Sequence, residues 1–462
     1  MGQVVTFYSY KGGVGRTMAL ANIATLMSQW GYKTLLVDWD LEAPGLEFYF
    51  QDFIDVKRVA QQRGLVDLLW TPEDSAKEVF PERVDWQDVL IEIEVPEAKE
   101  KIHLITAGQR DDTGSYFDKV TCLDWDSFYQ HKGGFLLESL RDEWKEKYDY
   151  ILIDSRTGIT DIGGICTIQL PDVLVLLFTA TEQSLNGAID VAAKAQAAQW
   201  DLPFDRVSLT CLPIASRFDS SEEFKISQQW LDRFSKDLKN LYDDWLPRSV
   251  NRKQFLEVTK IPHSSYFSFG EKLPVIEQGT TDPAGLGYAY ENIAAIISNN
   301  FESVEKLLAN RNYLIDKQLY RKANTTVTII YHNAIETSIV NSLSDSLAML
   351  NYHPKKIPFG LSSGSQLLEA FLDNDVVLYC VSVKSTESAT LGTLLSSAAR
   401  FLELSGHSNK IIPVMIDDRN KSEHALPVAF DLDDERWINY REVNDIDKIN
   451  RAILRKMLAK VW

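Results

Sequence analysis

Residues 2–50 read GQVVTFYSYKGGVGRTMALANIATLMSQWGYKTLLVDWDLEAPGLEFYF, and the rest of the chain is organised around them. A run of β-branched and aromatic residues at 4–8 predicts a strand, and the glycine-rich residues 11–17, KGGVGRT, predict a tight turn. Apolar residues at helical spacing follow, and a second apolar strand occupies 34–37. This order predicts one strand–helix–strand unit with an anion-binding loop at its first turn.

The residue types of this unit suit a phosphate and a metal ion. Glycines let a backbone fold around an anion and point its N–H groups at it, and the helix that follows adds the positive end of its dipole. The Thr17 hydroxyl is placed to bind Mg²⁺, while Asp38 and Asp40 follow the neighbouring strand and can hold the metal shell or a water. The alternative is a glycine turn without a ligand, but the loop, the hydroxyl and the acidic strand end occur in the right order.

A second acidic strand end occurs further along the chain. The apolar residues 150–153 predict a buried parallel strand, and Asp154 places a carboxylate at its tip. Gly158 follows in the loop. A strand that merely ends in aspartate is the alternative, which the upstream phosphate loop disfavours.

The composition limits the class of protein. The chain has 462 residues with 45% hydrophobic and 25% charged residues, which is typical of a soluble globular protein of two or three domains. Its net charge of −18 disfavours general nucleic-acid binding. The spacing of the four cysteines suggests neither zinc nor a disulfide framework. With no room for a signal peptide before the first strand and no apolar run of about 20 residues, we expect a cytoplasmic protein.

The chain divides into two predicted α/β domains. Strands alternate with helices over residues 1–300, which predicts a doubly wound, mainly parallel sheet. Residues 301–324 are predicted to form a charged helical linker. Residues 325–462 then predict a smaller α/β domain with five strands.

The loop KGGVGRT and the later VDWD resemble the deviant phosphate loop of the ParA/MinD family of P-loop ATPases. The resemblance implies that Lys11 crosses a homodimer to the nucleotide of the partner subunit. Arg16 stands where the family has its phosphate-binding lysine; arginine keeps the charge but is bulkier and planar. Asp40 is implied to position the attacking water. The phosphates of ATP are then held by Gly12, Gly13, Val14, Gly15, Arg16 and Thr17.

The same resemblance assigns the remaining nucleotide and metal contacts. Asp154 corresponds to the Walker B carboxylate, so that Mg²⁺ has Thr17, Asp38 and Asp154 as its implied protein ligands. Gly158 is implied to let the second switch loop approach the γ-phosphate. Pro262 matches a segment whose backbone lies near the base. The family's adenine-reading asparagine has no counterpart after the predicted strand 207–214.

The second domain resembles a TIR domain, with a generic flavodoxin-like domain as the alternative. The segments that carry the resemblance are TVTIIYH (326–332), DNDVVLYCVS (373–382), IIPVMI (411–416) and WINY (437–440). Some TIR domains cleave NAD with a glutamate whose position falls here near 398–400, where no glutamate occurs. Glu387 lies too early, and Glu403 lies too late unless a turn is inserted before it. This favours a non-catalytic assembly or adaptor domain.

Together these resemblances imply an ATP-dependent dimerising switch that controls a TIR-like output or assembly domain, in bacterial antiphage defence or stress signalling. Its protein partner is not identified by the sequence, and higher assembly through the TIR-like domain is possible. One alternative is a nucleotide-gated TIR NAD hydrolase. Another is a ParA-like positioning protein on DNA or membrane, but the net charge disfavours DNA, and the basic amphipathic residues 448–462 are expected to pack on their own sheet rather than on a membrane.

Overall fold

A computed structural model of the chain describes residues 2–69, 84–110, 114–130, 132–158, 164–199, 208–219, 224–319, 326–332, 337–349, 352–359, 376–381, 411–415 and 438–439, and the single residues 202, 206 and 449. The chain folds as two compact units, Met1–Leu319 and Tyr320–Trp462. No helix within the described ranges is long and apolar enough to cross a membrane.

The first unit contains a seven-stranded sheet with the strand order β3-β4-β2-β5-β1-β6-β7. Its strands are β1 (Gln3–Ser9), β2 (Thr34–Asp38), β3 (Ile91–Ile93), β4 (Ile102–Ile105), β5 (Tyr150–Asp154), β6 (Val173–Phe178) and β7 (Thr210–Ala215). All neighbouring strands are parallel except β3, which runs antiparallel to β4 at the edge. Since β1 lies between β5 and β6, the glycine-rich loop emerges from within the sheet and not at its edge.

Helices connect these strands. The helices of the first unit are α1 (Arg16–Gln29), α2 (Val56–Val59), α3 (Leu65–Leu69), α4 (Ser115–Cys122), α5 (Trp125–Gln130), α6 (Gly133–Lys147), α7 (Glu182–Gln199), α8 (Phe224–Asp237), α9 (Lys239–Tyr242), α10 (Arg252–Thr259), α11 (Pro274–Glu277), α12 (Leu286–Ser298), α13 (Glu305–Ala309) and α14 (Arg311–Leu319). Short 3₁₀ turns cover Leu46–Phe50, Trp86–Val89 and Tyr266–Ser268, and a π-helical turn covers Ile165–Gln169.

Apolar residues cover both faces of the sheet. Successive residues of a strand point to opposite faces, so that Val5 and Leu152 join one core cluster and Val4 and Ile151 the other. Helix α1 packs into the first cluster and α6 into the second. β6 is buried at every position, as expected for a central parallel strand. The predicted α/β fold with a mainly parallel, doubly wound sheet is confirmed for this unit.

The described part of the predicted linker, up to Leu319, is helical and packs on the first unit. Leu307 on α13 and Leu314 on α14 are buried in its first core cluster. Arg311 donates hydrogen bonds to Glu291 and Asn292 of α12. These contacts make α13 and α14 part of the first unit.

The second unit contains a five-stranded parallel sheet with the order β12-β11-β10-β8-β9. Its strands are β8 (Thr326–His332), β9 (His353–Phe359), β10 (Val376–Val381), β11 (Ile411–Met415) and β12 (Ile438–Asn439), and α15 (Thr337–Met349) connects β8 to β9. Val340 and Leu343 of α15 are buried against the apolar residues of β8 and β10. The predicted helices near 365–371 and 391–404, and nearly all of the predicted C-terminal helix, lie outside the described residues.

Candidate functional site

The glycine-rich loop joins the end of β1 to the start of α1. Gly13 has a φ of 73° and Gly15 a φ of 85°, both in the left-handed region that side chains with a Cβ atom disfavour. Gly15 is the residue that precedes the first turn of α1. The conformation of the loop, rather than a lack of space, therefore requires glycine, because a Cβ on Gly13 would meet no atom within 4 Å.

Residues after β7 hold this loop in place. Ser216 Oγ donates to the Val14 carbonyl at 2.7 Å, and Arg217 Nη1 donates to the Gly13 carbonyl at 2.6 Å. Arg217 Nη2 also donates to Ser268 Oγ at 3.1 Å. Two carbonyl groups of the loop are thereby fixed from the neighbouring strand end.

A cavity of about 490 Å³ opens beside the loop. Residues 12–17 line it together with Asp40, Arg217 and Pro262. Aromatic and aliphatic side chains, namely Tyr49, Ile261, Phe267 and Tyr290, complete its wall. A cavity that combines a glycine loop with aromatic and aliphatic walls can accept a ligand with a phosphate group and a flat, largely apolar ring.

Arg16 joins the two acidic strand ends. Its Nε donates to Asp154 Oδ1 at 2.5 Å and its Nη2 donates to Asp40 Oδ2 at 2.9 Å. The Arg16 side chain is 7% exposed and that of Asp154 is 2% exposed, so that this ion pair is buried. Burial disfavours the charge of Arg16, but the carboxylates of Asp154 and Asp40 outweigh this effect and raise the pKa of Arg16. The Thr17 hydroxyl also bonds to Asp154.

Asp38 lies fully buried beside this group, and its carboxylate bonds to backbone amides. Oδ1 accepts from the Asp40 N–H at 3.1 Å, and Oδ2 accepts from Gly45 at 3.1 Å and Leu46 at 3.3 Å. Burial and the nearby carboxylates of Asp154 and Glu47 raise the pKa of Asp38 to about 8. The hydrogen bonds from the Gly45 and Leu46 amides act in the opposite direction but are outweighed. Asp38 shapes the loop after β2 and does not line the cavity.

The structure brings most of the predicted site residues together. Gly12, Gly13, Val14, Gly15, Arg16, Thr17, Asp40 and Pro262 line one cavity, and Asp154 lies behind Arg16 and Thr17. Lys11 and Gly158 do not line it. Gly158 has a φ of 83°, and its carbonyl accepts from the Tyr8 hydroxyl at 3.1 Å.

Sequence reasoning missed Ser216 and Arg217. Both follow directly after β7, and the carboxyl ends of parallel strands meet at the same edge of the sheet. Their position after a predicted strand was the available signal. Their contacts with the glycine loop depend on β7 lying two strands away from β1 in the sheet.

The donor set suits Mg²⁺ more than a softer metal. Thr17, Asp40 and Asp154 offer hard oxygen atoms, and Mg²⁺ is bound by one or two carboxylates together with phosphates of a substrate. Within the described ranges, no group of three or more His, Cys, Asp and Glu side chains is placed to hold a metal ion. The oxygen atoms of Thr17, Asp40 and Asp154 are nevertheless of the kind that Mg²⁺ prefers.

The model of the CbiA family, the CobQ/CobB/MinD/ParA nucleotide binding domain, matches residues 5–359. The chain belongs to this family. The match to the CobQ/CobB/MinD/ParA family begins in β1 and ends with β9, so that it covers the glycine loop, both acidic strand ends and the first strands of the second unit. No match to a curated protein is found.

Three solved structures are similar to the chain at low identity. The cell division ATPase MinD of Pyrococcus furiosus is 17% identical to this chain. The match covers 65% of this chain and 100% of the MinD chain, with a TM-score of 0.41. A putative plasmid partition protein of Borrelia burgdorferi B31 bound to AMPPNP is 18% identical, with 65% and 100% coverage and a TM-score of 0.42. Apo McdA of Cyanthece is 18% identical, with 68% and 100% coverage and a TM-score of 0.41.

Proposed function

We propose that the first unit binds ATP with Mg²⁺ in the cavity of about 490 Å³, dimerises in that state and is reset by slow ATP hydrolysis. The observation that carries this proposal is the convergence of the glycine loop, Arg16, Thr17, Asp40 and Asp154 on one cavity. Membership of the CobQ/CobB/MinD/ParA family supports nucleotide binding by this chain.

Phosphate binding follows from the loop. Backbone N–H groups of residues 12–17 and the N-terminus of α1 offer partial positive charge to the phosphates. The bonds from Ser216 and Arg217 to loop carbonyls hold the loop in its left-handed turns. The loop therefore needs little rearrangement to receive a phosphate, which favours affinity.

Hydrolysis requires a metal, an oriented water and charge neutralisation. Thr17 and Asp154 would hold Mg²⁺, which when bound neutralises negative charge on the phosphates. Asp40 lines the cavity with a side chain that is 15% exposed, so its carboxylate can reach a water there. We assign to Asp40 the orientation of the attacking water.

Lys11 is proposed to act on the nucleotide of a second copy of the chain. The family resemblance carries this assignment, and the Lys11 side chain lies outside the cavity of its own subunit. Among the described residues, no carboxylate forms an ion pair with the Lys11 ammonium group. It is therefore available for the phosphates of a partner subunit.

The hydrolysis assignment is tested by comparing the Asp40→Asn variant with the wild type. We expect phosphate release to fall by about 100-fold or more, because water orientation is lost, while ATP affinity measured by calorimetry changes little. Asp52→Asn, at an exposed position, is the matched control and is expected to behave as wild type. Unchanged hydrolysis in Asp40→Asn would remove Asp40 from this role, and no ATP binding by the wild type would refute the proposal.

We infer that the second unit is a TIR-like output or assembly domain. If its strands are numbered along the chain, they lie side by side in the sheet in the order 2-1-3-4-5, which is the order of flavodoxin-like parallel sheets. A role in antiphage defence or stress signalling rests on the combination of an ATPase with a TIR-like domain. The positions 398–403 that bear on NAD cleavage lie outside the described residues. Consumption of NAD by the full chain with ATP and Mg²⁺ would replace the assembly role with an enzymatic one.

A further inference from the structure

The guanidinium group of Arg16 has three nitrogen atoms, of which two donate hydrogen bonds to carboxylates and one has no partner among the described residues. Nε and Nη2 donate to Asp154 and Asp40 at 2.5 and 2.9 Å. Nη1 is buried and has no hydrogen-bond partner among the described residues. A buried charged donor without a partner is unfavourable, and Arg16 lines the cavity in which a ligand oxygen could satisfy it.

The two carboxylates that Arg16 binds are the ones that the proposed function gives to Mg²⁺ and to the attacking water. A guanidinium fork can bond both at once and offset part of their negative charge, whereas the ammonium of a lysine is a compact point charge without a fork. A divalent cation that approaches Asp154 would also be repelled by the adjacent positive charge of Arg16. An arginine at this position, unlike a lysine, can therefore keep both carboxylates hydrogen-bonded before a metal ion binds.

We propose that Arg16 is a positioning residue that holds Asp40 and Asp154 together and excludes divalent cations until nucleotide phosphates bind its Nη1. This inference rests on the proposed function for the identity of the ligand. A phosphate oxygen bonded to Nη1 competes for the guanidinium charge and weakens its bonds to the carboxylates. Metal binding is thereby made dependent on nucleotide binding.

The test measures Mn²⁺ binding to the full chain by electron paramagnetic resonance without nucleotide. For Arg16→Lys we expect about tenfold tighter Mn²⁺ binding than for wild type, because lysine lacks the fork that bonds both carboxylates and one charge-assisted hydrogen bond fewer has to be broken. Arg141→Lys is the matched control, since Arg141 is also a buried arginine paired with a carboxylate, that of Asp172, but does not line the cavity. The Mn²⁺ affinity of this variant should stay within about twofold of wild type. Equal Mn²⁺ affinity in wild type and Arg16→Lys would overturn the proposal.

A second measurement uses the wild type alone, in case Arg16→Lys does not fold. In protein with ¹⁵N-labelled arginine, the Nε–H signal of Arg16, assigned through its own side-chain carbons, should be protected from solvent exchange. We expect it to stay unchanged with Mg²⁺ alone and to shift when AMPPNP and Mg²⁺ are added together. A signal that does not move although calorimetry shows nucleotide binding would refute the role of Arg16, whereas absence of nucleotide binding would refute the proposed function instead.

Discussion

The buried ion pair between Arg16 and Asp154 allows a quantitative test of the site. The Arg16→Met variant keeps much of the side-chain volume but removes the donors to Asp154 and Asp40. Asp154, which is 2% exposed, would keep its bond to the Thr17 hydroxyl but lose the one ion pair that it forms among the described residues. Breaking a buried pair in this way costs about 3–5 kcal/mol, whereas the partly hydrated Asp40 adds about 1 kcal/mol or less.

The same structure predicts that this cost depends on the charge of Asp154. In an Asp154→Asn background the amide needs no cation, so that Arg16→Met should cost only about 1 kcal/mol, from Asp40. The double-mutant cycle should therefore give a coupling energy of about 3–5 kcal/mol between Arg16 and Asp154.

The assay is urea unfolding without nucleotide, followed by tryptophan fluorescence, since most of the 11 tryptophans lie in the first unit. A cost below about 1 kcal/mol in the wild-type background would contradict the buried pair. An equal cost in both backgrounds would mean that Arg16 acts through contacts other than its ion pair with Asp154.

Three further substitutions test the loop and the boundary of the first unit by the same unfolding assay. Gly15→Ala should cost about 1–2 kcal/mol because its φ is 85°, while Gly12→Ala, at ordinary φ, should cost much less; equal costs would contradict the left-handed turn. Ser216→Ala removes the buried hydrogen bond to Val14 and should cost about 1 kcal/mol and weaken ATP binding measured by calorimetry; an unchanged affinity would show that this bond does not support the loop. Leu314→Ala should destabilise the first unit by about 2–5 kcal/mol, whereas a change near zero would mean that α14 is a separate linker.

The fold of the first unit could be predicted from local patterns. The apolar strands, the glycine loop and the acidic strand ends are each contained in a few consecutive residues, and parallel sheets bring their carboxyl ends to one edge. The same reasoning placed Asp40 and residues 12–17 in one site, and the structure brings them into one cavity.

Contacts between distant residues could not be predicted in this way. Arg16 and Asp154 are 138 positions apart, and their bond depends on β5 lying beside β1 with a particular register. In the sequence, Asp38 is as good a candidate metal ligand as Asp40. In the structure, the loop after β2 turns back over Asp38, and three backbone amides donate hydrogen bonds to its carboxylate. Its role as a metal ligand stays a prediction.

The boundary between the two domains could not be predicted from the sequence for a similar reason. Residues 301–319 have a charged amphipathic pattern that is compatible with a connector and with a packed helix. Their assignment depends on whether an apolar face such as that of Leu307 and Leu314 finds a partner, which only the tertiary structure shows.

Light scattering on the full chain, with and without ATP and Mg²⁺, shows whether ATP joins two first units through Lys11. We expect the mass of the wild type to double, or to increase further, with ATP and Mg²⁺, and that of Lys11→Ala to stay at the monomer value. Lys57→Ala, which removes an exposed lysine on α2, should behave as wild type. No change in mass for the wild type, although calorimetry shows bound ATP, would mean that ATP does not join two subunits through Lys11.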